Sequence, residues 1–284
     1  MSLKVIDTHI HIWNLEKVEY EWLRGDTSIL NRSYNLMEIN KERLNVGIEE
    51  GVLVQAANNF EDTELMLQAA EQSGWISGVV GWVPLANTHA TEKALHGIYS
   101  KNKLLKGVRH LIHNEEDPQW LLKDQVIESL KLLAQSGLTY DVVGVLPVHI
   151  QTALKVAEKV PELKMVFDHM NQPPIAPQER FGTWGDLIRE ASAHQNFYIK
   201  ISGLGTASRN FENWSAGDIM PYVEFAFKHF GEDRCICGGD WPVSLLAGSY
   251  KKTWNTYREV ISSLLDREGQ EKVFNKNAKA FYHL

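Results

Sequence analysis

The stretch EGVLVQAANNFEDTELMLQAAEQSGWISGVVGWV (residues 50–83) reads as one structural unit. EGVLVQ and ISGVVGWV are short apolar runs of strand length. Between them, NFEDTELMLQAAEQSG carries acidic residues in its first turn and closes on Gly74, the start and stop signals of a helix. Strand, helix and strand at this spacing predict a βαβ crossover and parallel neighbours. Working outward, the alternation continues. KVIDTHI (4–10), LKGVRHLI (105–112), LTYDVV (138–143), LKMVFDHM (163–170), FYIKIS (197–202) and RCICGGD (234–240) bring the candidate strands to eight. DQVIESLKLLAQSG closes on Gly137, LPVHIQTALKVAEKVPELK runs from near Pro147 to Pro161, and YKKTWNTYREVISSLL carries apolar residues at helical spacing. Eight such units in 284 residues predict an α/β chain folded as a (β/α)8 TIM barrel. A doubly wound open sheet is the other arrangement, but no GxGxxG follows the first strand. No Ser/Gly/Pro linker, charge block or repeat divides the chain, so residues 1–284 are expected to form a single domain.

Composition narrows the function classes. The chain carries 36 Asp+Glu against 29 Lys+Arg, a net charge of −7, and no basic cluster, which argues against nucleic-acid or anionic-membrane partners. No apolar run approaches the roughly 18 residues of a membrane span. The N-terminus lacks a signal-peptide pattern, so a cytoplasmic location is expected. Cys235 and Cys237, the two cysteines, lie one residue apart on a candidate strand and read as core residues rather than a disulfide. A small-molecule substrate is the expected partner, and a homo-oligomer is compatible with the composition.

The polar residues gather at strand ends. In an extended strand, side chains at i and i+2 leave by one face, so His9 and His11 are expected to point together with Asp7 beside them. Strand 4 ends in Arg109 and His110, with His113 just beyond; strand 6 ends in His169 and strand 8 in Asp240. A parallel barrel brings these ends to one mouth, where βα loops build the site. His9, His11, His169 and Asp240 form a donor set for one divalent cation, zinc or manganese. The same groups can also work without metal, a carboxylate taking a proton from water while donors polarise a carbonyl. Competing structural roles exist for each: a solvated histidine pair, loop residues at His110 and His113, bracing carboxylates at Asp141 and Asp168. Lys200 reads either as a charge reaching the mouth or as a snorkelling surface lysine. Two irregular segments, 14–36 and 171–185, follow strands 1 and 6 and are expected to cover the mouth. Of nine tryptophans, Trp13, Trp22, Trp82, Trp184 and Trp241 lie beside polar or turn-forming residues.

DTHIHIW, GVRHLIH, FDHMNQPP, KISGL and GGDWPVS, in that order, resemble the amidohydrolase-related (β/α)8 barrels, in particular the lactonase branch that acts on L-fuconolactone, L-rhamnonolactone and 2-pyrone-4,6-dicarboxylate. The resemblance covers nearly the whole chain. It implies that His9 and His11 are the strand 1 HxH pair, that His169 is the strand 6 histidine, and that Asp240 is the water-activating aspartate. It also implies that Arg109 acts on the substrate. At strand 5, LTYDVVG lacks the lysine or histidine that bridges two metals, so a binuclear centre is not expected and the metal can be absent. Asn171 and Gln172 stand where sugar lactonases more often carry a DHLAKP-like stretch. The expected chemistry is hydrolysis of a small lactone, with Asp240, His169 and Arg109 catalytic and Trp22, His110 and Trp241 binding substrate. Three alternatives stay open: another amide or ester hydrolysis, metal-dependent non-oxidative decarboxylation of an aromatic acid, or carbohydrate binding without catalysis.

Overall fold

A computed structural model describes residues 3–176 and 180–284. All eight expected strands form, as β1 (Ile6–Ile10), β2 (Glu50–Val54), β3 (Ile76–Gly81), β4 (Leu105–His110), β5 (Thr139–Val142), β6 (Met165–Phe167), β7 (Phe197–Ile201) and β8 (Cys235–Cys237). They pair in parallel in sequence order from β1 to β8. The ring closes just past β8, where Asp240 N–H donates to the His9 carbonyl at 2.8 Å and His11 N–H to that of Trp241 at 2.7 Å.

The helices are α1 (Leu36–Asn45), α2 (Phe60–Gln72), α3 (Thr88–Lys93), α4 (Asp124–Gln135), α5 (Pro147–Lys159), α6 (Gly182–Ser192), α7 (Leu204–Ala207), α8 (Ala216–Phe230), α9 (Tyr250–Leu264), α10 (Arg267–Glu271) and α11 (Asn277–Tyr282). Their ends follow local chemistry. The Asn59 side chain accepts from Asp62 N–H at the start of α2, and Pro147 opens α5, where its missing N–H is no loss. None is long and apolar enough to cross a membrane among the described residues.

The barrel interior is layered. Ile6, Val52, Val54, Val80, Val166 and Ile236 pack against Phe281 and Tyr282 of α11, which close the floor. The larger core lies between the strands and the helices around them. Cys235 and Cys237 are free and buried on either side of the inward-facing Ile236.

Three departures from the sequence reading bear on the site. The strand pattern ran to residue 170, but β6 stops at Phe167 because residues 169–172 turn left-handed. The irregular segment 171–185 ends earlier than expected, since Gly182 begins α6; its residues 177–179 lie outside the described residues. Strand parity also breaks in β1. The register runs from Asp7 opposite Gly51 to Ile10 opposite Leu53, three steps against two, which is a β-bulge. Asp7 therefore points out of the barrel, where its carboxylate accepts from Tyr250 Oη–H of α9 at 2.6 Å and Gly239 N–H at 2.7 Å. His9 and His11 do share a face, but Asp7 is not on it.

Candidate active site

The mouth of the barrel gathers side chains from six strands. Asp240 is buried, in a left-handed backbone conformation just beyond β8. Among the described residues its Oδ1 has no hydrogen-bond partner, and three imidazole nitrogens surround it: His11 Nε2 at 3.4 Å, His9 Nε2 at 3.8 Å and His169 Nε2 at 3.9 Å. His11 is oriented by its Nδ1, 2.7 Å from the Val54 carbonyl, and His169 by Ser202 Oγ, 2.9 Å from its Nδ1. Gly203 makes this possible. It sits at φ +60°, and a Cβ there would lie 2.6 Å from His169 Nδ1. Only glycine tolerates both constraints.

Below these groups lies a charge cluster wholly inside the barrel. Lys200 is fully buried, its Nζ 2.7 Å from Asp141 Oδ2, 2.8 Å from Asp168 Oδ1 and 3.2 Å from His9 Nδ1. Arg109 donates through Nη1 to Asp168 Oδ2 at 3.0 Å, with His9 Nε2 3.3 Å away, and through Nη2 to the Gln55 carbonyl. Tyr282 of the floor helix donates to Asp141 Oδ2 at 2.8 Å. Two cations thus face two carboxylates. Burial opposes charge on Lys200, Asp141 and Asp168, yet the two carboxylates raise the Lys200 pKa above its ordinary value. Against the same burial, Lys200, His9 and Arg109 hold Asp168 well below the usual carboxylate range. Burial keeps His9 neutral, its pKa well below the imidazole value despite the pull of Asp168.

The donor set fits a divalent cation. Ligand atoms of His9, His11 and Asp240 lie within 4.8 Å of one another, and the orphaned Asp240 Oδ1 lacks a partner that an ion would supply. Two imidazoles and a carboxylate with open positions suit zinc or manganese. Asp168 Oδ1, 3.4 Å from His9 Nδ1, is placed as the outer carboxylate that commonly orients a metal-bound histidine.

Above Asp240 opens a cavity of about 240 Å3, walled by Trp13, Trp22, Leu111, Val143, Val145 and Val243. Arg109, His113, His169, Gln172 and Thr206 also reach it. The segment 14–36 forms one wall, as expected. Trp13 meets Trp22 edge-on at 5.3 Å, and both indole N–H groups are engaged, on the carbonyls of Arg32 (2.5 Å) and Ala56 (2.8 Å). Burial, then the Arg109 charge, pushes the His113 pKa down to about 4. Residues 169–172 make a single left-handed turn, with φ of 52–57° at four consecutive non-glycine residues. At roughly 1–2 kcal/mol per residue, such backbone is held by its surroundings rather than by preference. Trp184 Nε1–H donates to the Met170 carbonyl at 2.8 Å, and Ser202 Oγ accepts from His169 N–H at 3.2 Å.

The structure therefore brings His9, His11, His169, Asp240, Arg109 and Trp22 together. His110 lies outside the cavity, stacked on Trp120 at 4.0 Å, accepting from Trp82 Nε1–H and 2.7 Å from Glu115. Trp241 also does not line the cavity; it is buried edge-on against Tyr34. Lys200 is neither at the surface nor at the mouth, but in the middle of the barrel. The roles of Asp141, Asp168, Lys200 and Gln172 were not separable by pattern. A signal existed for the first and third: a charge within strands otherwise apolar on both faces must find a partner inside.

Known proteins resemble this chain over nearly its whole length. The Amidohydrolase family model matches residues 6–284. An L-fucono-1,5-lactonase of Burkholderia ambifaria is 29% identical, covering 98% of this chain and 95% of its own. A second L-fucono-1,5-lactonase, from Burkholderia multivorans, is 26% identical over 94% of this chain and 89% of its own. An amidohydrolase of Burkholderia multivorans superposes with a TM-score of 0.91 when solved with HEPES and 0.90 when solved with zinc, at 24% identity over 99% of both chains.

Proposed function

The chain belongs to the amidohydrolase family, and from that premise we propose that it opens a small, uncharged sugar lactone by hydrolysis. The observation that carries this reading is Asp240 Oδ1, a buried acceptor with no partner among the described residues, set among three imidazoles beside a cavity of about 240 Å3. That volume is below the roughly 300–1,000 Å3 of pockets for drug-sized ligands, so one ring fits. Two indoles and a wall of valines suit the ring's apolar face.

In the proposed reaction Asp240 takes a proton from water, and the resulting hydroxide attacks the ring carbonyl. His169, anchored by Ser202, and Arg109, which lines the cavity, would donate to the developing oxyanion. The proton on Asp240 then passes to the leaving ring oxygen. A divalent cation held by His9, His11 and Asp240 would supply Lewis-acid stabilisation of the same oxyanion. No serine or cysteine nucleophile is needed, because the ester is the ring itself.

Charge accounts for the choice of a neutral substrate. Among the described residues, Arg109 at the mouth and Lys200 below it are paired with Asp168 and Asp141, and Asp240 adds a negative charge. Among the described residues, a substrate carboxylate would therefore find no unpaired Lys or Arg to receive it.

The test is acid release, followed with a pH indicator, from a panel of aldonolactones on chelator-treated and on zinc- or manganese-loaded protein. Rapid opening of one sugar lactone, lost in Asp240→Asn, is expected. If no lactone turns over in either form, the reading fails, and aromatic acids should be tested for carbon dioxide release.

A further inference from the structure

Gln172 stands out among the residues lining the cavity, because nothing in the chemistry proposed above uses it. It ends the left-handed turn at φ +57°, with its N–H on the His169 carbonyl at 3.0 Å. It lines the cavity, and among the described residues its side-chain amide makes no hydrogen bond or ion pair. The neighbouring polar groups are engaged. The indole N–H groups of Trp13 and Trp22 bond to carbonyls, and Thr206 Oγ–H donates to the Gly203 carbonyl at 2.8 Å. Arg109 is tied through both terminal nitrogens.

The turn itself explains the placement. With about three residues per turn, positions i and i+3 of a tight helical turn fall on one side, separated by roughly 6 Å along its axis. His169 and Gln172 therefore line one cavity from one turn, the first 3.9 Å from Asp240 Oδ1. A right-handed continuation of β6 would not present both. The backbone strain is offset by the clamps at Met170 and His169 described above, which fits a segment held in place for function.

Resting on the lactonase reading, we propose that Gln172 is a specificity residue that selects lactones bearing a ring hydroxyl. A carboxamide offers one acceptor and two donors, so it can both accept from and donate to a hydroxyl. It adds no charge, in keeping with a neutral substrate. Its contact lies away from the ester, so it contributes to binding in the ground state and the transition state alike. Such a contact moves KM rather than kcat.

The experiment compares D-glucono-1,5-lactone with δ-valerolactone, which has the same ring and no hydroxyl, on wild type and Gln172→Leu. Leucine has the same left-handed backbone demand as glutamine, so the turn is not newly burdened. KM for the hydroxylated lactone should rise about tenfold or more, with kcat within about twofold, and δ-valerolactone kinetics should not change. A merely structural role would displace His169 as well and lower kcat on both lactones. That result, or no change on either lactone, overturns the proposal. Should wild type open another member of the aldonolactone panel instead, that lactone replaces D-glucono-1,5-lactone in the comparison. Should it open neither of these nor any other lactone of the panel, the lactonase reading fails on its own. Binding of the corresponding lactams, followed by tryptophan fluorescence, then decides the role of Gln172. Wild type should bind the polyhydroxy lactam more tightly than piperidin-2-one, with the difference lost in Gln172→Leu; equal binding by wild type overturns the proposal. If the leucine variant does not fold, Gln172→Gly removes the same amide while easing the backbone, and should give the same KM effect with a higher Tm.

Discussion

Replacing Lys200 by methionine tests the buried charge cluster most directly. Methionine is close in volume and keeps the apolar stem, so the change removes a charge rather than opening a cavity. In the wild type the cluster is neutral: Lys200 and Arg109 face Asp141 and Asp168. Without Lys200, Asp141 Oδ2 keeps only the hydroxyl of Tyr282, and Asp168 keeps Arg109. Breaking a buried pair from one side costs about 3–5 kcal/mol, a large share of the total stability of a folded domain. For 284 residues at about 2.1 cal/mol/K each, the unfolding entropy is about 0.6 kcal/mol/K, so Tm should fall by about 5–8 °C. Calorimetry at pH 7 reads this shift. A second substitution sharpens it. Adding Asp141→Asn restores neutrality and keeps an acceptor for Tyr282, so the double variant should recover more than half of the loss. The direction with pH follows as well. Burial already pushes the Asp141 pKa up to about 6 in spite of Lys200. Removing the ammonium pushes it higher, so the folded variant takes up a proton that the unfolded chain does not hold, and its deficit should shrink between pH 7 and pH 5. A Tm within 2 °C of wild type, or a double variant worse than the single, would refute the view that Lys200 neutralises the barrel interior.

Three further outcomes are expected. Gly203→Ala should lower kcat about tenfold or more, because its Cβ meets His169 Nδ1; Gly137→Ala, also at positive φ but with nothing within 4 Å, should cost only the roughly 1–2 kcal/mol of backbone strain and leave kcat unchanged. Zinc uptake, followed by competition with a chromophoric chelator, should be lost in His11→Ala and weakened roughly 10–100-fold in Asp168→Asn; full-affinity binding in both would exclude the His9, His11 and Asp240 set as the cation site. Burial raises the pKa of Asp62 from 3.8 to about 6, against its hydrogen bonds to Ala56 N–H, Tyr20 Oη–H and Ala57 N–H. The folded state holds that proton more tightly than the unfolded chain, so the contribution of Asp62 is most favourable at low pH and is lost as pH rises to about 6. Relative to Asp62→Asn, wild type should therefore lose about 2 kcal/mol between pH 4 and pH 7, measured by urea unfolding.

Much of this architecture was legible in the sequence because each level of the pattern agreed with the next. The strands were short, the helices began and ended on recognisable caps, and Gly74, Gly137 and Pro147 fell where α2 and α4 end and α5 begins. The polar residues at strand ends converged because parallel strands all end at one face. What the sequence did not yield has physical causes. Period-two reasoning put Asp7 with the histidines, and a single bulged residue in β1 turned it to the other side of the sheet. No propensity predicts four non-glycine residues in a left-handed turn, since the clamps come from Trp184 and Ser202, distant in sequence. Lys200 read either as a charge reaching the mouth or as a surface lysine, because a fully buried one is rare without partners, and its partners lie on β5 and just past β6. His110 and Trp241 sit beside true cavity residues in sequence, yet strand geometry sends their side chains elsewhere.

The closure of the ring also sets an order in time. Thr8 Oγ–H donates to the Cys237 carbonyl across 229 residues of sequence, and the His9 carbonyl and His11 N–H pair with Asp240 and Trp241. At roughly 5–20 residues per second of synthesis, β1 waits about 10–50 s on the ribosome before its second neighbour exists. During that interval Ile10 and Ile12 belong to an unpaired edge, the kind of surface on which nascent chains associate wrongly or recruit chaperones. The imidazoles and the aspartate meet only when this last seam is sewn. In a refolding experiment, far-UV circular dichroism should therefore return before catalysis does, and the lag between them measures how long the sheet stays open.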